Sequence, residues 1–139
     1  MNQVALNYEE VDFEIKNPSK ITPWIKQLIK SEKKLFGDIS YVFCNDNYLH
    51  KINLEYLNHD TFTDIITFDY SENGIISGDI FISIERVIEN AKTFETGFEN
   101  ELKRVMAHGV LHLIEYKDKS ENKKEIMRGK ENNAILLFD

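Results

Sequence analysis

The stretch "TDIITFDYSENGIISGDIFIS", residues 63–83, contains the two clearest strand patterns in the chain. β-Branched and aromatic residues fill "TDIITFDY" and "GIISGDIFIS", and the turn-rich "SENG" between them predicts an antiparallel hairpin. Outward from this hairpin, strand and helix patterns alternate. Upstream, "ISYVFC" (39–44) reads as a strand, and "NDNYLHKINLEYLN" (45–58) as a short helix starting at Asn45 or Asp46. Its inward residues are predicted to be Leu49, Ile52 and Tyr56. Earlier still, Thr22-Pro23 opens a helix, with Thr22 as its N-cap and Gly37 as its end. Trp24, Leu28 and Leu35 form its apolar stripe, with Ile25 and Ile29 beside it. The N-terminal "QVALNYEEVDFEI" (3–15) alternates around Val11, Phe13 and Ile15 and predicts another strand. Downstream, two helical patterns are split near Thr96-Gly97. The tail "ENKKEIMRGKENNAILLF" (121–138) reads as a candidate last helix, which Gly129 would weaken by up to about 1 kcal/mol relative to Ala. The pattern predicts an α/β or α+β fold with a mixed sheet and one antiparallel hairpin.

Composition limits the function classes. The 139 residues suffice for one domain, 1–139, with its own core, and 42% hydrophobic content is that of a globular chain. The lone cysteine, Cys44, allows no internal disulfide; it is expected to be a buried small hydrophobe in a protein of a reducing compartment. "MNQVALNYEE" has no basic region leading into an apolar core, so no signal peptide is expected, and no apolar run is long enough to span a membrane. A cytoplasmic protein is expected. A net charge of −7 weighs against general polyanion affinity from total charge alone. Local balance differs: Lys26, Lys30 and Lys33 share one predicted helix face beside Lys34. Lys117, Lys119, Lys123, Lys124, Arg128 and Lys130 form a second basic cluster. Both read either as solvated helix faces or as a track for a phosphate backbone.

One segment carries chemistry. In "HGVLHLIEYKD" (108–118) two histidines stand one helical turn apart. On a helical wheel, Phe98, Leu102, Val105, Met106, Val110 and Leu113 make one broad stripe, predicted to face the sheet. Gly109 falls in its middle, which calls for close backbone packing. His108 and His112 lie about 40° apart on the flank of the stripe, as if along a cleft edge. Such a pair suits one metal ion, although structural histidines share the same spacing. Glu115 and Asp118 are candidate third ligands, and Glu101, two turns before His108, is a candidate partner behind them. Two imidazoles and one carboxylate leave a position open for water, as catalytic zinc sites do. Gly109 stands where H-E-x-x-H proteases have their glutamate. That absence argues against such a protease, not against metal-assisted hydrolysis.

Taken together, these residues resemble the YbeY-type endoribonucleases. That family carries H-G-x-L-H-L-x-G-Y-D-H near its C-terminus, and His108, Gly109, Leu111, His112, Leu113 and Tyr116 match it in place. "FTDIITFDY" is similar to the family's P-T-D-V-L-S-F segment through Thr63, Asp64 and Phe68. "SGDIFIS" is similar to its L-G-D-I-x-I strand through Gly78, Asp79 and Ile80. Glu101-Leu102 matches a pair often found ahead of the histidines, and Glu125, Met127 and Glu131 fall in a familiar rhythm in the tail. The resemblance implies a four-stranded mixed sheet packed by about five helices. It implies single-strand-specific, metal-dependent cleavage of RNA in 16S rRNA 3'-end maturation and ribosome quality control. The cofactor implied is one divalent ion, Zn2+ first, held by His108, His112 and Asp118, with Glu115 as the rival third ligand. The implied partners are rRNA, the small ribosomal subunit and ribosome-associated proteins.

The departures from the family pattern carry their own expectations. Its third histidine is Asp118 here, a harder donor that shifts metal preference. Its Gly-Tyr-Asp becomes Glu115-Tyr116-Lys117. Leu57 stands where the family usually has arginine, with His59 or a nearby lysine as substitutes. Asp79 is a candidate proton carrier or partner of a ligand, and equally a structural turn residue. Lys26, Lys30, Lys33, Lys123 and Lys124 are the candidate RNA contacts. Two other classes fit the same residues: a ribosome-assembly binding protein with a structural metal, and a metal hydrolase for another substrate.

Overall fold

In a computed structural model of the chain, which describes residues 3–116 and 120–138, four strands form one sheet in the order β1-β2-β4-β3. The strands are β1 (Ala5–Glu9), β2 (Leu35–Cys44), β3 (Ile65–Asp69) and β4 (Ile75–Ser83). β1 and β4 flank β2 in parallel, while β3 and β4 form the expected antiparallel hairpin with Thr67 opposite Ile80. Five α-helices accompany the sheet: α1 (Ile21–Ser31), α2 (Asp46–Leu57), α3 (Ile84–Thr93), α4 (Phe98–Leu113) and α5 (Glu121–Phe138). The fold is therefore α+β, with a mixed four-stranded sheet. No helix among the described residues is long and apolar enough to cross a membrane.

The period of 2 along the strands sorts side chains between two layers. On one face, Ile76, Ile80 and Ile82 pack with α1, α4 and α5 through Ile25, Leu102, Met106 and Ala134 in the main core. On the other, Ile66 and Phe81 meet Leu49 and Ile52 of α2 in a smaller cluster that includes Cys44. Burial lifts the Cys44 thiol to about 12, with Asp46 and Glu9 adding to the effect, so it packs as an apolar group. Two polar anchors fix the helices of the main layer. Tyr41 of β2 donates its hydroxyl to the Met106 carbonyl at 2.8 Å, and Trp24 donates its indole N–H to the Ala134 carbonyl at 2.8 Å.

Several local expectations are corrected. The first strand is Ala5–Glu9; Glu10, at φ 56°, turns the chain, and Val11, Phe13 and Ile15 pack past the strand instead of extending it. Thr22 lies inside α1, where its hydroxyl accepts from the Val4 N–H at 3.0 Å rather than capping the helix. α1 stops at Ser31, because Lys33 adopts φ 62° and turns the chain. Leu35 therefore begins β2, 64% exposed, and is not part of the helix stripe. Gly37 sits within β2 at an irregularity beside β4, where a Cβ would collide with the Ser77 hydroxyl and lie 2.9 Å from the Ile76 carbonyl. Its role is close strand contact, not helix termination. In α2, Asn45 caps the N-terminus by accepting from the Tyr48 N–H, and Leu49 is buried as expected. Tyr56 is not: it is 65% exposed, and the buried residue of that turn is Asn53, which donates to the Thr61 carbonyl at 2.9 Å.

Candidate metal centre

α4 lies across the sheet because its apolar stripe is continuous. Leu102, Val105, Met106, Val110 and Leu113 are buried, and Gly109 brings the helix close to β3 and β4. A Cβ at position 109 would stand 2.8 Å from Ile80 Cγ2 and 3.1 Å from Ile65 Cδ1, so the glycine serves the packing that the wheel predicts. The histidines leave α4 at the flank of this stripe. Both are partly buried, and their rings meet edge to face with centroids 4.5 Å apart. His108 lines a cleft of about 200 Å³ with Asp64, Asn90, Glu101, Arg104 and Glu131.

The polar contacts in this cleft are directional. Glu131 Oε2 lies 2.6 Å from His108 Nδ1, and Glu131 Oε1 accepts from Arg104 Nη1 at 3.0 Å. A carboxylate only accepts, so the proton of that contact sits on Nδ1, and Nε2 is the nitrogen a metal would take. Glu101 is 4% exposed on the same helix face. Burial lifts its carboxyl above its ordinary value; Arg104 and Arg128 act against that rise, and Asp64 and Glu131 add to it. Asp64 accepts from Asn90 Nδ2 at 3.2 Å, which places it on the cleft wall and not merely in the turn into β3.

The other predicted residues fall in different places. Asp118 lies outside the described residues. Glu115 is exposed beyond the end of α4 at φ 85° and lines a separate depression with Lys34 and Glu72. Among the described residues no three His, Cys, Asp or Glu side chains gather as a metal-holding group, so Glu115 is not brought to the histidines. Asp79 is on the wrong face. Its neighbours Gly78 and Ile80 point at α4, so by strand alternation it points away, accepting from the Tyr70 hydroxyl at 3.4 Å beside Phe68 and Phe81. Lys26 and Lys30 are exposed on α1, while Lys33 lies past the helix end instead of on its face. Lys123 and Lys124 are exposed in the first turn of α5. Leu57 ends α2, ahead of Asn58 in the left-handed conformation.

Arg104 and Glu131 are cleft residues that the sequence pattern did not mark as such. Arg104 stands one helical turn before His108 and so shares its face, a signal present in the spacing. Glu131 interrupts the buried stripe Met127–Glu131–Ala134 of α5. An acid at such a position needs a buried partner, but its partner is 23 residues away along the chain.

The donors suit a zinc-type ion in kind: two imidazoles one turn apart, one of them held by a carboxylate. A mixed sheet crossed by a helix that carries this pair on a cleft edge defines an α+β class of fold with a histidine-lined cleft. The chain matches the model of the family described as endoribonuclease YbeY over residues 5–138, and it belongs to that family. Endoribonuclease YbeY of Flavobacterium johnsoniae is 56% identical over 135 residues, covering 97% of this chain and 96% of the relative. Endoribonuclease YbeY of Parabacteroides distasonis is 42% identical, covering 97% of this chain and 95% of the relative. The solution structure of TM1509 from Thermotoga maritima superposes with a TM-score of 0.66 over 99% of this chain and 89% of that one. At 23% identity, that likeness shows the shared fold.

Proposed function

We propose that this protein is a metal-dependent endoribonuclease that cleaves single-stranded RNA in ribosomal RNA maturation. The observation that carries the proposal is the His108–His112 pair, with ring centroids 4.5 Å apart, in a chain matched to the endoribonuclease YbeY family over nearly its whole length. His108 and His112 would hold the ion, with Asp118, at the family's third position, as the third donor, and zinc fits this donor set first. Bound there, the ion would supply Lewis-acid chemistry toward a phosphodiester oxygen. The chain's own residues orient the substrate. Lys26, Lys30, Lys123 and Lys124 are exposed cations suited to a phosphate backbone, whose contribution would fall with salt. The whole of residues 1–139 acts as one domain, in the cytoplasm, on rRNA of the small ribosomal subunit and in contact with ribosome-associated proteins. The relatives' names favour the nuclease over a binding module with a structural metal.

The test compares parent and His112→Ala protein on a single-stranded RNA and on its duplex, before and after chelation. Expected are cleavage of the single strand by the parent, loss on chelation, and recovery with added zinc or manganese. The variant should lose at least about 100-fold in rate, as loss of a group acting on the transition state does. Cleavage by the variant at the parent's rate would overturn the reading.

A further inference from the structure

Glu131 is placed as no ordinary surface acid would be. It is 7% exposed on α5, and its two oxygens are divided: Oε1 takes Arg104 at 3.0 Å and Oε2 takes His108 at 2.6 Å. Arg104 is itself fixed by a second bond, from Nη2 to Asn132 Oδ1 at 2.7 Å. The guanidinium therefore touches two successive residues of α5 and holds the carboxylate against the histidine, not against solvent.

We infer that Glu131 is a positioning residue for the metal centre: its carboxylate holds His108 as the Nδ1–H tautomer and so leaves the Nε2 lone pair for the ion. The inference rests on the metal-centre reading above. A neutral imidazole carries one proton, and in water the Nε2–H form is the more populated, which hides the lone pair a metal would use from that side. A buried carboxylate at Nδ1 reverses the choice, because the alternative sets two lone pairs against each other in a poorly solvated cleft. It also fixes the ring plane and makes Nε2 a stronger donor. Partners of this kind typically set 10–100-fold in metal affinity. Arg104 matters through Glu131: without its guanidinium the carboxylate would be free to swing from His108 and to draw in water.

Two variants separate this role from simple core packing. Glu131→Met keeps the length and helix propensity of the side chain but removes the acceptor; Glu131→Gln keeps a carbonyl oxygen that can still accept from Nδ1. Long-range proton–nitrogen NMR spectra of 15N-labelled, metal-free protein, recorded above the histidine titration range, report which nitrogen of His108 carries the proton. Zinc affinity is measured on the same samples by competition with a chelating dye. The expected result is Nδ1–H in the parent and in Glu131→Gln, Nε2–H in Glu131→Met, and a zinc Kd raised 10–100-fold in Glu131→Met with Glu131→Gln in between. An Nε2–H signature in the parent overturns the inference by itself, whether or not the Met variant folds. An unchanged tautomer or an unchanged Kd in folded Glu131→Met overturns it as well. A parent that takes up neither zinc nor manganese overturns the metal-centre reading instead, and the tautomer signals still decide what Glu131 does to His108.

Discussion

A methyl group added at position 109 would meet Ile80 Cγ2 at 2.8 Å, against a fully buried side chain whose branch at Cβ leaves little freedom to move. Gly109→Ala gains up to about 1 kcal/mol in helix propensity but overpacks the helix–sheet contact at a cost of about 1–3 kcal/mol. The expected net effect is a loss of stability, read as a lower urea midpoint at unchanged m-value; a midpoint equal to the parent's would mean that α4 shifts freely on the sheet. Glu101 is the second residue whose substitution has a defined outcome. Burial, with Asp64 and Glu131 nearby and Arg104 and Arg128 opposing, places its folded pKa above its ordinary 4.5. Between those two values the native protein binds more protons than the unfolded chain, so this group's contribution to stability falls as pH rises through that window. Relative to the parent, metal-free Glu101→Gln should therefore be more stable at about pH 7 than at about pH 4; a difference that does not move with pH would show that the carboxyl is not perturbed. Gly109 and the histidine pair were legible in the sequence because the wheel needs only local spacing. Glu131 was not, because its partners lie on another helix.

Between elements, the junction of α1, α4 and α5 is held by Glu32. Tyr116, just past α4, and Lys130 of α5 both donate to its carboxylate, the lysine at 2.9 Å. Burial alone would raise this carboxyl, but the two hydrogen bonds and the lysine's charge outweigh it and hold it below its ordinary 4.5. The native state then binds fewer protons than the unfolded chain, so the stabilisation is full above 4.5 and is lost as pH falls through the lower folded value. Lys130→Met should be less stable than the parent at neutral pH, with the gap closing on acidification. Denaturant melts at several pH values check this, and a constant gap would mean that the lysine acts by packing alone. The same junction explains a misreading of the sequence. Gly37 looked like a helix stop, yet Lys33 makes the turn with a positive φ, and the glycine is used where β2 crowds Ser77. The hairpin, α3, α4 and α5 were legible because their periodicity is long and bounded by turn residues. The N-terminal strand was displaced because Val11, Phe13 and Ile15 keep the alternation of a strand while packing irregularly after Glu10.

For the whole molecule, one apolar core joins the sheet to the helices, and an ion bound at the proposed metal centre would add its binding free energy to the stability of the native state. The main core runs from Val4 to Ala134 and draws on the sheet and on α1, α4 and α5 together. The proposed centre lies where two of those helices meet: α4 carries the histidines and α5 carries Glu131. An ion bound there engages the native state more tightly than the unfolded chain, which holds neither the one-turn spacing nor the Glu131 contact. Linkage then fixes the size of the effect. Free zinc at 100 times its Kd adds about 2.7 kcal/mol, which for a chain of this size is roughly 10 °C in Tm. The expected outcome is that calorimetric scans of metal-free parent rise by that amount with zinc, more with each further tenfold of free metal. His112→Ala, folded to the same extent by circular dichroism, should rise by less than about 2 °C under the same conditions. Equal shifts in the two proteins would place the binding elsewhere, on groups such as the exposed His59 that the variant keeps, and would remove α4 as the seat of the metal.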